Sequence, residues 1–411
     1  MTDRSAEVQA WLDERARDMA ELLEALVRLP TENPPGRELG RCASVLRDAL
    51  HGLGFTAELI ELAATGTLED PAIVRGTLGT GSQLVYYHGH FDVVPAQSSS
   101  QFEPERREGK VIGRGAADMK GGLVSMIYGG AAARELGLLD DRRIVVHLVC
   151  DEETGSTAGS GHMREAGLID RDALAMLTAE PTGGVIWHAC RGAITLRVQT
   201  TGREAHVGYA NDGVNAFEDM IRVAEPLTAL SHELLAKRTS FPVQRQEAAG
   251  SMLVVGGQAA AGAGFNVVPG SAWFSVDRRF NPEEELDEEL SRLTDMIEAA
   301  AEAAGAQVEI ELLQAQPSGV TDQHHPAAQA LARCIATVDG AGSTFQLCPG
   351  VLDTRWYSQL GIPAFAYGGG RLDISHGPNE YIDEAAMRRC AAVYALFAAE
   401  VNPTGPRGPL G

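Results

Sequence analysis

Apolar positions along the chain change period several times, and those changes outline the architecture. Val8, Trp11, Leu12, Met19, Leu22, Leu23 and Leu26 recur at helical spacing with charged residues between them. This predicts one amphipathic helix over residues 1–30 rather than the apolar core of a secretion signal. Gln83–Tyr87 and Ile144–Val149 are short continuous apolar runs, the signature of buried strands, whereas Gly121–Leu136 and Met163–Gly167 are helical. Strands alternating with helices predict an α/β fold, a mostly parallel mixed sheet covered by helices. Polar clusters follow both strands directly, HGHFD after the first and CDEETG after the second. Open α/β sheets bind ligands at the carboxyl ends of their strands, so both clusters are expected in one crevice.

Near residue 190 the pattern changes. Ala193–Thr200 alternates apolar and polar residues, as a half-exposed antiparallel strand does. Helix-like Asn215–Leu230, strand-like Ser251–Gly256 and Ala272–Asp277, and helix-like Glu283–Ala303 follow. These predict an inserted α+β domain over 191–314, interrupting a first domain of 1–190 and 315–411. The α/β texture resumes with a helix over Pro326–Val338 and a strand over Ala364–Tyr367. The Pro/Gly-rich tail, 402–411, reads as loose.

Composition narrows the function. With 34 Lys+Arg against 56 Asp+Glu the net charge is −22, which repels phosphate backbones and anionic membrane surfaces. No stretch approaches the roughly 18 consecutive apolar residues of a membrane span. Six scattered cysteines without a CxxC pair read as reduced thiols, hence a cytoplasmic protein. The expected partner is a small molecule, not nucleic acid or membrane.

Four clusters carry candidate chemistry. In YYHGHFDVVP, His90 and Asp92 flank Phe91 and share one side of an extended segment. A metal-bound histidine commonly donates its second ring N–H to a carboxylate, although H-x-D alone is more often an ordinary surface loop. In GRGAADMKGG, glycines let the backbone turn around Asp118; a phosphate loop would need the G-K-[ST] that is missing. CDEETG places Asp151, Glu152 and Glu153 together at a strand end, where mutual repulsion calls for a cation unless the turn is simply solvated. AEPT and SHGPNE add Glu180 and His376. Two histidines and three carboxylates, without thiolates, make an oxygen and nitrogen ligand set suited to hydrolytic zinc, cobalt or manganese. Five ligands exceed one tetrahedral catalytic ion and suit two ions sharing a carboxylate.

In order, GHFDVVP, GRGAADMKGG, DEETG, AEPT, GREAH, NVVPGSAWFSVDRR and SHGPNEYI resemble the dinuclear-zinc exopeptidase and deacylase family. That family includes acetylornithine deacetylase, succinyl-diaminopimelate desuccinylase, aminoacylase and glutamate carboxypeptidase. The likeness runs from about Leu22 to about Ala399. It implies two divalent metal ions, Zn2+ first, bridged by Asp118, with His90 and Glu180 on one and Glu153 and His376 on the other. It implies that Asp92 orients His90, that Glu152 is the general base, and that the peptide after Asp118 is cis. The inserted domain would be a lid and homodimerisation unit, its His206 reaching the partner's site. Asn266 and Arg279 match the lid's substrate-binding positions, and Arg355, in DTRWY, resembles a further such element. Leu352 and Gln97 depart from common Thr or Ser and Trp, which leaves acyl-group specificity open. His88 reads as a supporting or core side chain and His147 as buried within its strand; His188, His324 and His325 suggest no partner.

The expectation is therefore a metal-dependent hydrolase of N-acyl amino acids or related carboxylate-bearing amides, attacking with metal-bound hydroxide. A dipeptidase or carboxypeptidase shares every residue named. A non-catalytic metal-stabilised binder is the remaining alternative, disfavoured because a binder has no use for a spare Glu152.

Overall fold

The computed structural model describes residues 2–63 and 68–402, so all of the Pro/Gly-rich tail beyond Asn402 lies outside the described residues. The chain forms two compact units. One comprises the residues up to His188, Val320–Gln346, and those from Asp353 onward; the other comprises Ala189–Gly319 and Leu347–Leu352. The main segment of the second unit is Ala189–Gly319, where the hydrophobic pattern gave 191–314. The return of Leu347–Leu352 to the second unit had no signal in the hydrophobic pattern.

The first unit has the mixed α/β architecture that strand–helix alternation predicts. Its sheet runs Thr56–Glu61, Ala72–Leu78, Arg142–Val149, Gln83–His90, Ala175–Thr178 and Ala364–Ala366 in spatial order. Gln83–His90 lies parallel to both neighbours, and Ala364–Ala366 lies parallel to Ala175–Thr178. The two outer strands on the other side are antiparallel. Helix Gly121–Glu135, buried along nearly its whole length, packs against helix Glu384–Glu400 over one face. Parallel strands place their carboxyl ends together, and this is what brings His90, Cys150 and Ala179 to one edge.

One local expectation is corrected. The single N-terminal helix is two, Thr2–Asp13 and Ala16–Val27. Arg15 turns back at the break, donating to the Trp11 carbonyl at 2.9 Å and stacking over the Trp11 ring. A side chain thus satisfies a helix-end carbonyl that the next turn of helix would otherwise take.

The second unit is an antiparallel sheet, Met252–Ala261, Ser271–Phe280, Gly192–Thr201 and Gln307–Gln316 in spatial order, with helices Ala216–Leu234 and Leu286–Ala304. The Asn215 side chain caps the first of these helices by accepting from Phe217 N–H at 3.1 Å. Among the described residues no helix is long and apolar enough to cross a membrane.

Candidate active site

Five loops of the first unit converge on a cluster of imidazoles and carboxylates. His90 ends strand Gln83–His90; Glu152 and Glu153 lie in the turn after Arg142–Val149; Glu180 follows Ala175–Thr178. Asp118 enters from the turn that opens helix Gly121–Glu135, and the Asp118–Met119 peptide is cis. His376 arrives from the segment before strand Tyr381–Asp383, which pairs with Lys110–Ile112 and so draws that segment toward Asp118.

Asp118 sits between the two histidines, one carboxylate oxygen toward each. Its Oδ1 is 3.4 Å from His90 Nε2 and its Oδ2 is 3.3 Å from His376 Nε2. Glu180 Oε1 is 3.9 Å from His90 Nε2, and Glu153 Oε1 is 3.4 Å from His376 Nε2. Two donor groups result, His90–Asp118–Glu180 and Asp118–Glu153–His376, each with its atoms within 4.8 Å of one another. These separations are too long for good hydrogen bonds. Donors held about 2.0–2.2 Å from one tetrahedral ion stand about 3.3–3.6 Å apart, and three of the four distances match that edge. Two cations fit the residues present.

The charges point the same way. Contact with Asp118, then with Glu153, pushes His376 up to about 10. Burial pushes Glu180 up to about 8, the His90 charge opposing it and that of Asp118 adding to it. Burial raises Glu153 as well. On His90 and Asp118 burial disfavours charge, but the His90 and His376 contacts with the Asp118 carboxylate prevail. His90 is held well above its ordinary range and Asp118 below its own. Two divalent cations bound here would balance the buried carboxylates and take the place of protons on the imidazoles.

Asp92 is fully buried, and its part differs in detail from a simple carboxylate–histidine pair. His90 Nδ1 meets the Asp92 main-chain oxygen at 3.0 Å, with the carboxylate at 3.4 Å. The carboxylate accepts from the backbone N–H of Glu152 at 3.2 Å and of Glu153 at 3.1 Å, and from Asn33 Nδ2 at 3.1 Å. One residue therefore fixes both a histidine ring and the glutamate-bearing turn. Glu152 is half-buried; among the described residues its carboxylate has no hydrogen bond or ion pair. Burial raises its pKa well above the ordinary carboxylate range, with Glu180 adding to this against the His90 charge.

Two expectations are corrected. Asp151 does not join the repelling cluster. Its carboxylate accepts from Ala158 N–H at 2.7 Å and Gly159 N–H at 3.0 Å, while burial, with the Asp92 and Asp353 charges adding, pushes it up to about 7. Arg355 is not open to a substrate. Its side chain is 1% exposed and donates to Asp353 at 3.2 Å and to the Gly155 carbonyl at 3.1 Å. Asp353, which sequence reasoning passed over, also accepts from Ser160 at 2.6 Å and from Ser156, and meets His88 Nε2 at 2.8 Å. The Tyr357 hydroxyl lies 3.1 Å from His88 Nδ1 and 3.0 Å from His147 Nδ1, which gives both histidines a structural part. Asn33 was missed too; its one signal was an amide preceding two prolines.

The remaining site candidates belong to the second unit. His206 is exposed, its Nδ1 accepting from Gly208 N–H at 3.0 Å, and Val207 N–H donates to the Asn266 carbonyl at 3.0 Å. The two are brought together by antiparallel pairing of Ala205–His206 with Val267–Val268. Arg279 is half-buried, its guanidinium bonded twice to Asp277, at 2.8 and 3.1 Å.

Known proteins resemble this chain in sequence and in fold. A succinyl-diaminopimelate desuccinylase of Methylorubrum extorquens is 28% identical over 91% of this chain and 96% of its own. An N-formyl-4-amino-5-aminomethyl-2-methylpyrimidine deformylase of Halalkalibacterium halodurans is 23% identical over 96% of each. In fold the chain resembles a di-peptidase of Saccharomyces cerevisiae, with a TM-score of 0.80 at 18% identity over 97% of this chain and 99% of that one. The sequence profile of peptidase family M20/M25/M40 matches residues 86–400, a span that holds every donor of the cluster, and the chain belongs to that family.

Proposed function

We propose that this protein hydrolyses the amide bond of an N-acyl amino acid or a related carboxylate-bearing amide, using two divalent cations. Zinc is the first choice, with cobalt or manganese able to replace it. Asp118 would span both ions, with His90 and Glu180 completing one ligand set and Glu153 and His376 the other. Bound there, the ions would polarise the scissile carbonyl and bring the pKa of water from 15.7 to about 7.

The observation that carries the reading is the division between two adjacent glutamates. Glu153 faces His376 at 3.4 Å, while the Glu152 carboxylate is without a partner among the described residues. Glu152 is the group left to accept the proton of the attacking water and pass it to the leaving nitrogen, work worth about 10²–10⁴ in rate. His206, supplied by a second copy, would donate to the developing oxyanion, an interaction worth about 2.7–4 kcal/mol. Arg279 and Asn266 would receive the substrate carboxylate, the guanidinium exchanging Asp277 for a two-point bond to it.

A homodimer through the second unit is consistent with its edge. Strand Met252–Ala261 ends that sheet, and Phe217, Ile221 and Val254, on the helix beside it and on the strand itself, are 42%, 50% and 53% exposed. An unpaired edge beside exposed apolar side chains is a template for pairing. Six buried cysteines suit a reducing cytoplasm.

Glu152→Ala is expected to keep both metal equivalents and lose turnover by about 10²–10⁴. Parent-level turnover by that variant would remove Glu152 from the reaction. A panel of N-acetyl, N-succinyl and N-formyl amino acids beside dipeptides identifies the substrate. Preference for the dipeptides would replace the deacylase reading with a dipeptidase.

A further inference from the structure

We propose that Arg114 and Glu380 are positioning residues, a buried clamp that sets His376 against Asp118 and so governs the affinity of one cation site more than the other. The inference rests on the two-cation reading and deepens it.

The pair is enclosed, with side chains 1% and 0% exposed and Arg114 Nη1 2.7 Å from Glu380 Oε2. Each partner also grips the main chain beside a donor. Glu380 Oε1 accepts from the N–H of Ala117 and of Asp118, both at 3.0 Å. Arg114 Nη2 donates to the His376 carbonyl at 3.1 Å, and Nη1 reaches the Gly377 carbonyl at 3.4 Å. Glu380 comes from the His376 segment and holds the Asp118 turn; Arg114 comes from the Asp118 turn and holds the His376 segment. The crossing is reciprocal, so neither loop can shift without breaking bonds to a buried charge.

His376 needs such a hold. Its side chain is 48% exposed, far more than any other donor, so packing does little to place it. Its φ of 63° is a conformation that a non-glycine residue keeps only when its surroundings impose it. The bond from Arg114 to its carbonyl is such a constraint. His90 ends a strand and Glu180 closely follows one, so sheet ladders on both sides fix those donors without help from the clamp. Asp118 belongs to both sets but is held by Glu380, whereas Arg114 holds only the His376 segment, so loosening the Arg114 arm should weaken the Asp118–Glu153–His376 site selectively. Partners outside the ligand set typically change metal affinity 10–100-fold.

The decisive variant is Arg114→Lys. It keeps a cation opposite Glu380 but loses the planar fork that reaches a carboxylate and a carbonyl together. Metal-free wild type, Arg114→Lys, Glu380→Gln and Arg106→Lys are equilibrated with graded free Zn2+ by dialysis, and bound zinc is counted. Arg106 is the control: it pairs with Glu384 at 2.7 Å, as closely as Arg114 with Glu380, but bonds to none of the donor loops. Glu153→Gln, which removes one donor from a single set, marks which of the two binding steps belongs to that set. The expected result is a 10–100-fold loss of affinity in the marked step for Arg114→Lys. The other step should stay within about threefold, and Arg106→Lys should match wild type. Equal losses in both steps, or in neither, overturn the clamp. Should Arg114→Lys fail to fold by circular dichroism, Glu380→Gln is judged by the same criterion, since its amide oxygen still accepts from Ala117 and Asp118. A wild type that binds fewer than two zinc ions would instead refute the two-cation reading itself.

Discussion

Replacing Asp92 by asparagine isolates the residue that joins the histidine ring to the glutamate turn. The carboxylate is wholly buried and accepts three hydrogen bonds, at Oδ1 from Glu152 N–H and at Oδ2 from Glu153 N–H and Asn33. An asparagine keeps most by leaving its oxygen at the Oδ2 position, which turns its NH2 toward the Glu152 N–H, donor against donor. One charge-assisted bond of about 1.5–3 kcal/mol is lost and two fall to neutral strength, about 0.5–1.5 kcal/mol each. The amide escapes part of the cost of burying a charge, which leaves a net loss of about 2–4 kcal/mol. The strain falls on the turn that carries Glu152, and a misplacement of about 1 Å at a reacting group costs about 100-fold. His90 meets the main-chain oxygen of residue 92, so metal retention is expected. Thermal melting of the chelated protein should shift down by several degrees. With metal restored, kcat should fall about 100-fold while KM stays within a few-fold. A lowered melting temperature with parent kcat would show that Asp92 stabilises the fold without aiming Glu152. No change in either would refute the hydrogen-bond argument outright.

Four further outcomes follow from the geometry. Glu180, raised to about 8 by burial, and His376, raised to about 10 by Asp118 and Glu153, both hold more protons folded than unfolded. Metal-free protein should therefore lose stability as pH rises from 6 to 9, and zinc, cobalt or manganese should raise its melting temperature most at the alkaline end; differential scanning calorimetry with and without chelator checks this. Chelation should also abolish amide hydrolysis, with the same ions restoring it in a reconstitution assay. Tyr357→Phe removes the hydroxyl between His88 and His147 and strands two buried ring nitrogens, so it should cost about 1–3 kcal/mol by urea unfolding while leaving zinc stoichiometry at wild-type level. Ile221→Glu should yield a monomer by light scattering if the second unit pairs through its exposed apolar edge.

Much of the site could be read from local sequence because its donors stand at strand ends. His90, Glu152 and Glu153 follow uninterrupted apolar runs, and parallel pairing carries such ends to one edge whatever the loops contain. The inserted unit was legible for the same kind of reason, since its strands switch to a two-residue period at Ala193. Chemistry-bearing residue types in fixed order, with the family resemblance they carry, singled out candidates that the fold gathers into two groups able to hold a cation.

Which way each charged side chain turns was decided only in three dimensions. Asp151 and Glu152 are neighbours in the chain, yet one carboxylate accepts from backbone N–H groups while the other is without a partner among the described residues. Arg355 reads as a substrate ligand by its motif and is spent on Asp353 and the Gly155 carbonyl, the latter 200 residues away. Asn33 reaches Asp92 across 59 residues, and Arg114 reaches Glu380 across 266. Hydrophobic period and strand order are local properties that short windows of sequence encode. Buried hydrogen bonds must instead be satisfied by whatever polar group folding delivers, and only the assembled chain determines which group that is.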